Sequence, residues 1–184
     1  MRGKTERRRI RLKKAIRTAI NRSSNEEKIK KAQKEGLRTA DLLNILAGVP
    51  NFLGVFASDQ LVNLKIYKYP VFLISNLDIS SGPGNHWIAI RISRMTIEIF
   101  DSLGFNQNLW GYYPEHLFFF LDRYKNTHRI VTSPIFQSQF TFDCGLYSCF
   151  FIFYRHYFSF QKCCGFFSRK LRHNHLLLLK FFLQ

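Results

Sequence analysis

Acidic residues are scarce in this sequence: 12 Asp and Glu stand against 28 Lys and Arg, for a net charge of +16. The shortage is local, since residues 1–40 carry 15 basic and 4 acidic side chains while residues 41–184 carry 13 and 8. The basicity therefore belongs to an N-terminal arm and not to the whole fold. Cysteine is also sparse, and the four present stand at 144, 149, 163 and 164. Two of them are adjacent, a pattern unlike a framework of spaced disulfides. With no hydrophobic leader at the start, free thiols in a reducing intracellular compartment are expected. Long apolar runs are missing as well. The longest uncharged one, Cys144–Tyr154, falls short of the about 20 residues a membrane-spanning helix needs, so no span is expected.

What is present is enough apolar material for a core. With 46% hydrophobic residues and 20 Phe among 184 residues, the chain suits one domain plus an appendage. Residues 2–22 place Leu12, Ala15, Ile16, Ala19 and Ile20 on one helical stripe surrounded by Arg and Lys. Ser23-Ser-Asn-Glu26 reads as a capping box opening a second helix to about Glu35, which Gly36 can end. Such an arm admits three readings: a solvated tail or import signal, a nucleic-acid contact through Arg7, Arg8, Arg9, Arg11, Lys13 and Lys14, or a helix lying on a membrane surface. The expected organisation is a basic helical arm over 1–37, a folded domain over 38–158, and a tail or docking helix over 159–184.

Within the domain, Thr39–Ala47 reads as a short helix closed by Gly48, and Val49–Ser58 and Tyr69–Ser75 as turn and strand material. His86–Ile92 and Thr96–Phe100 read as an antiparallel hairpin bent at Arg94-Met95. A helix is expected over Pro114–Tyr124 with Leu117, Phe118 and Leu121 inward, and a short strand over Arg129–Thr132. Cys144–Tyr157 reads as a buried central helix. His116 and His128 are expected at the surface. Cys163, Cys164, His173 and His175 have no standard zinc spacing, so no metal is assigned.

Chemistry concentrates at two places. Cys144 stands where a polar turn becomes an apolar helix. A helix N-terminus there offers unpaired N–H groups and a partial positive charge, a setting that favours a thiolate and can hold an oxyanion. His86 opens one strand of the hairpin and Asp101 follows the other, so both fall at one end of the sheet although fifteen residues apart. An imidazole needs an acceptor on one nitrogen while the other takes a thiol proton, and Asp101 is placed to be that acceptor.

The series His86-Trp87, Asp101-Ser-Leu-Gly-Phe105, and Gln137-Ser followed by Cys144-Gly-Leu-Tyr-Ser-Cys149 resembles the adenovirus protease (adenain) family and its relatives in Polinton/Maverick elements and adintoviruses. These are distant kin of the Ulp1/SENP ubiquitin-like-protein proteases. Asn51–Leu61 is similar to the leader segment of the virus-type enzymes, and the resemblance runs from about residue 38 to 158. It implies an α+β, circularly permuted papain-like fold with a small mixed sheet packed against a central helix. Cys144 would be the nucleophile, His86 the general base and acid, and Asp101 the orienting acid. Gln137 would complete the oxyanion hole, and Trp87 would wall a groove that admits small residues such as glycine. The chemistry requires no cofactor; adenain-like enzymes are stimulated by DNA and by a short peptide, and the net positive charge fits stimulation by DNA, whereas no residue here carries the peptide site over.

The resemblance further implies a monomer acting on capsid or precursor proteins of a virus or virus-like transposon, in the host nucleus or the virion. Asp143 before the nucleophile follows the Ulp1-like branch, whereas several viral enzymes have a small residue there. The basic arm and the stretch after residue 158 have no counterpart in it. Two other functions remain open: an isopeptidase for SUMO or another ubiquitin-like protein, and a basic DNA-binding accessory protein whose triad is vestigial.

Overall fold

The computed structural model describes residues 2–20, 25–105 and 112–183. Its elements are α1 (Arg2–Ile20), α2 (Asn25–Glu35), α3 (Thr39–Leu46), β1 (Phe52–Phe56), a 3-10 turn (Ser58–Asn63), β2 (Val71–Asn76), β3 (Trp87–Ile92), β4 (Thr96–Phe100), α4 (Glu115–Asp122), β5 (Arg129–Thr132), α5 (Cys144–Arg155), α6 (Phe160–Cys164) and α7 (Leu171–Leu183). The class is α+β, with a mixed sheet on a central helix.

The five strands lie in the order β1-β2-β3-β4-β5. The middle pairs β2–β3 and β3–β4 are antiparallel, and the outer pairs β1–β2 and β4–β5 are parallel. The β3–β4 hairpin turns where the sequence predicts, with Ser93 N–H donating to Thr96 O at 2.9 Å. Both faces of the central strands are covered. Phe72, Ile74, Ala89 and Phe100 point toward α5 and the other large helices, whereas Leu73, Ile88, Ile90, Ile92, Ile97 and Ile99 point toward α4 and the 3-10 turn. A strand buried on both faces carries apolar residues at consecutive positions, which explains why Trp87–Ile92 reads as a nearly unbroken apolar run.

Helix α5 is the central helix, and Cys144 through Phe153 are all buried. Its far end is tied to the sheet by a buried ion-pair group: Arg155 donates to Glu98 through Nε and Nη2, each at 2.7 Å, and Arg91 Nη1 reaches Glu98 Oε1 at 3.2 Å.

The apolar stripe of the arm is spent on the core. Leu12, Ile16, Ala19 and Ile20 of α1 and Ile29 and Ala32 of α2 are buried in the same cluster as α5, and so are Leu178 and Phe182 of α7. The stripe is thus covered, and the basic side of α1 faces solvent, with Arg7, Arg8, Arg9, Arg11, Lys13 and Lys14 exposed. Gly36 and Gly48, the expected helix stops, have φ of 73° and 78°. The helix expected over 2–22 is described to Ile20, and Ser23 and Ser24 of the expected capping box lie outside the described residues.

Two expectations need correction. His128 is half-buried rather than at the surface: its ring meets Tyr124 edge-on at 5.1 Å and its Nε2 pairs with Ser93 O at 2.9 Å. His116 is also half-buried. In α4, Leu117 and Leu121 are buried as expected, but Phe120 takes the inward position and Phe118 is only half-buried, because the inward stripe follows i, i+3, i+4. Among the described residues no helix is long and apolar enough to cross a membrane.

Candidate active site

His86 stands just before β3 and Asp101 just after β4, and the hairpin brings them together at the same end of the sheet. His86 Nε2 lies 2.8 Å from Asp101 Oδ1, with the imidazole 6% exposed and Asp101 fully buried. The loop that delivers His86 is fixed from below. Asn76 Oδ1 accepts from Asp78 N–H (2.8 Å) and Asn85 N–H (3.2 Å), and Leu77 N–H donates to His86 O at 2.9 Å.

The Asp101 carboxylate accepts two more hydrogen bonds besides that of the imidazole. Leu103 N–H donates to Oδ1 at 2.8 Å and the Tyr113 hydroxyl donates to Oδ2 at 2.6 Å. Its backbone is clasped by Ser133, whose Oγ accepts from Asp101 N–H at 2.9 Å and donates to Asp101 O at 2.6 Å. Tyr113 and Ser133 are not singled out by the sequence. Nothing in their local pattern separates them from ordinary turn residues, because their role depends on a partner 12 or 32 positions away.

Cys144 is the first residue of α5 and is buried. Burial by itself would lower the basicity of His86, but its hydrogen bonds to Asp101 and Cys144, with the electrostatic attraction of each, raise the imidazole to about 9. With Nε2 committed to Asp101, Nδ1 is the nitrogen left for the thiol. Burial pushes Cys149 and Cys163 well above the ordinary thiol range and Cys164 up to about 11, so all three are held as inert thiols at neutral pH.

Gln137 is buried with its amide oriented at both ends. Its Oε1 accepts from the Ser102 hydroxyl at 2.6 Å and its Nε2 donates to Thr141 O at 2.7 Å. Its backbone N–H also donates to Ser102 O at 2.8 Å. An amide nitrogen carries two hydrogens, and Thr141 takes one. Asp101 and Ser102, neighbours in sequence, therefore hold two different members of the site.

Trp87 is half-buried against the core, and its indole N–H donates to Leu37 O at 2.8 Å. Leu37 also presses on the first turn of α5. A Cβ on Gly145 would stand 2.9 Å from the Leu37 Cβ, closer than real Cβ atoms come, so the position after Cys144 has room for glycine alone. The six candidate contact residues Arg7, Arg8, Arg9, Arg11, Lys13 and Lys14 are exposed on α1, outside this cluster. Among the described residues no group of three or more His, Cys, Asp or Glu could hold a metal ion. His173 is exposed, while Cys163 is buried.

No protein-family model and no curated protein matches the chain significantly. Among solved structures, the chain is similar to a SUMO protease Ulp1 with the catalytic cysteine oxidised to a sulfinic acid: 16% identity over 88% of this chain and 94% of that one, with a TM-score of 0.36. It is similar also to the same protease with the cysteine oxidised to a sulfenic acid: 15% identity over 97% and 94%, with a TM-score of 0.39.

Proposed function

We propose that the chain is a cysteine peptidase acting through an acyl-enzyme. The observation that carries this reading is a buried imidazole hydrogen-bonded both to a buried carboxylate and to Cys144, the first residue of α5. In this scheme His86 takes the Cys144 thiol proton, and the raised basicity of the imidazole favours that transfer. The Cys144 sulfur then attacks a peptide carbonyl carbon, and the carbonyl π pair moves to oxygen. The second Gln137 Nε2 hydrogen and the first N–H groups of α5 donate to that oxyanion. Collapse breaks the C–N bond, and the His86 proton goes to the leaving amine. Water attacks the thioester, giving its proton to His86, and the sulfur leaves. No metal or organic cofactor takes part in these steps.

Trp87, with one side fixed on Leu37, would wall a narrow groove and favour small residues such as glycine before the scissile bond. The resemblance to adenain-like enzymes supports precursor or capsid proteins as substrates, with DNA or a short peptide as activator, and action as a monomer in a host nucleus or virion. Asp143 favours the second reading, an isopeptidase for a ubiquitin-like protein. The experiment is labelling by a peptide vinyl sulfone with glycine next to the warhead, mapped by mass spectrometry. Labelling of the wild type at Cys144, absent in Cys144→Ala, supports the peptidase. No labelling leaves the DNA-binding accessory protein with a vestigial triad. Cleavage of a SUMO–fluorophore conjugate without cleavage of precursor peptides moves the substrate to the isopeptidase class.

A further inference from the structure

The C-terminal helix touches the candidate site at two points, through two adjacent residues. Asn174 is fully buried, and its Nδ2 donates to Phe136 O at 2.9 Å, the carbonyl immediately before Gln137. The same amide is locked at its base, because Ser168 N–H donates to Asn174 Oδ1 at 2.7 Å and Asn174 Nδ2 donates to Ser168 O at 2.9 Å. Phe136 O also accepts the Tyr147 hydroxyl of α5 at 3.0 Å, so the peptide entering Gln137 is held by α5 and α7 together. One residue on, His175 Nδ1 lies 2.9 Å from Oδ2 of Asp143, the residue immediately before Cys144.

The Asp143 contact is chemically unusual. Its carboxylate is 1% exposed, and among the described residues Oδ1 has no hydrogen-bond partner. A buried carboxylate is costly unless it is paired. The Asp143 side chain does not cap α5 either. His175 is thus what the structure supplies to hold the residue that sets the start of α5.

We propose that α7 belongs to the catalytic apparatus: Asn174 and His175 are positioning residues that fix, respectively, the peptide leading into Gln137 and the residue leading into Cys144. The two parts of the oxyanion hole come from segments that meet only in three dimensions, and one rigid helix references both. The tail would then be required for turnover and not merely for solubility. The kinetic half of this inference rests on the peptidase reading; the mechanical half does not.

The test uses the full chain with His175→Ala, His175→Asn and Asn174→Ala, under two readouts. An Asn amide nitrogen occupies nearly the place of a histidine Nδ1, so His175→Asn can rebuild the bond to Asp143. Amide hydrogen exchange should speed up over residues 135–146 in His175→Ala and return toward wild type in His175→Asn. With the vinyl sulfone, kinact should fall by about 10- to 100-fold in His175→Ala, the scale of an ångström-level misplacement, with KI nearly unchanged, and His175→Asn should recover most of it. Unchanged exchange in His175→Ala overturns the brace, and faster exchange with unchanged kinact overturns its catalytic role. If Asn174→Ala does not fold, the half-exposed His175 pair still decides the matter. If the wild type is not labelled, the peptidase reading falls, and the exchange result alone decides the brace.

Discussion

His86 sets the pH behaviour at the scale of single residues. Its folded value near 9 exceeds the ordinary 6.5, so the folded protein binds a proton there that the unfolded chain gives up. This contribution to stability is complete below about 6.5 and is lost as pH rises through about 9. Urea midpoints should therefore fall between those values in wild type, and the slope should flatten in His86→Ala. Inactivation by the vinyl sulfone should show an alkaline limb near pH 9. In Asp101→Asn that limb should move to lower pH, because one of the charges holding the imidazolium is gone. A limb that stays in place would refute the assignment of Asp101. A second residue-scale test concerns Tyr113→Phe, which removes the 2.6 Å bond to Asp101 Oδ2. A loss of about 1–3 kcal/mol in chemical denaturation is expected, the range for a hydrogen bond to a buried charged group. Ser133 and Tyr113 show what a sequence hides at this scale: a hydroxyl next to a carboxylate is identified by its partner, and the partner is set by the fold.

Single elements are held at both ends by different devices. Helix α5 has Gly145 pressed on Leu37 at its start and Arg155 forked on Glu98 at its end. Gly145→Ala must push the α2–α3 connection away from the nucleophile. It should cost about 1–3 kcal/mol, as overpacking does, and slow labelling at Cys144. Arg155→Ala should cost more, about 3–5 kcal/mol by thermal or urea unfolding, because it leaves Glu98 buried with Arg91 alone. Elements α3, β4, β5 and α5 are legible in sequence because each is a short run of residues whose composition suits one secondary structure. Phe118 and Phe120 are not separated by such reading. Which of two phenylalanines turns inward is decided by the surface α4 meets.

The whole molecule uses its N-terminal segment in two ways at once. Leu12, Ile16, Ala19 and Ile20 complete the core, and the opposite side of α1 keeps its cations in solvent. A truncation lacking residues 1–20 should therefore lose stability, because it uncovers α5. Replacing Arg7, Arg8, Arg11 and Lys14 with Gln should leave the unfolding midpoint nearly unchanged. If this face binds duplex DNA, the same variant should bind more weakly and lose up to about 0.9 in salt slope for each phosphate contact removed. A salt slope equal to wild type would exclude these four as phosphate ligands.

The local periods, the antiparallel hairpin that gathers His86 and Asp101, and the helix that begins at Cys144 can be read along the chain, because each depends on residues near one another in it. Which donors hold Asp101, how Ser102 turns the Gln137 amide, that the apolar stripe of the basic arm joins the core, and that Asn174 and His175 reach the residues before Gln137 and Cys144 emerge from the three-dimensional fold. Those pairings join segments tens of residues apart, and a short-range pattern cannot encode which distant polar group will be left facing another once the apolar faces have found their places.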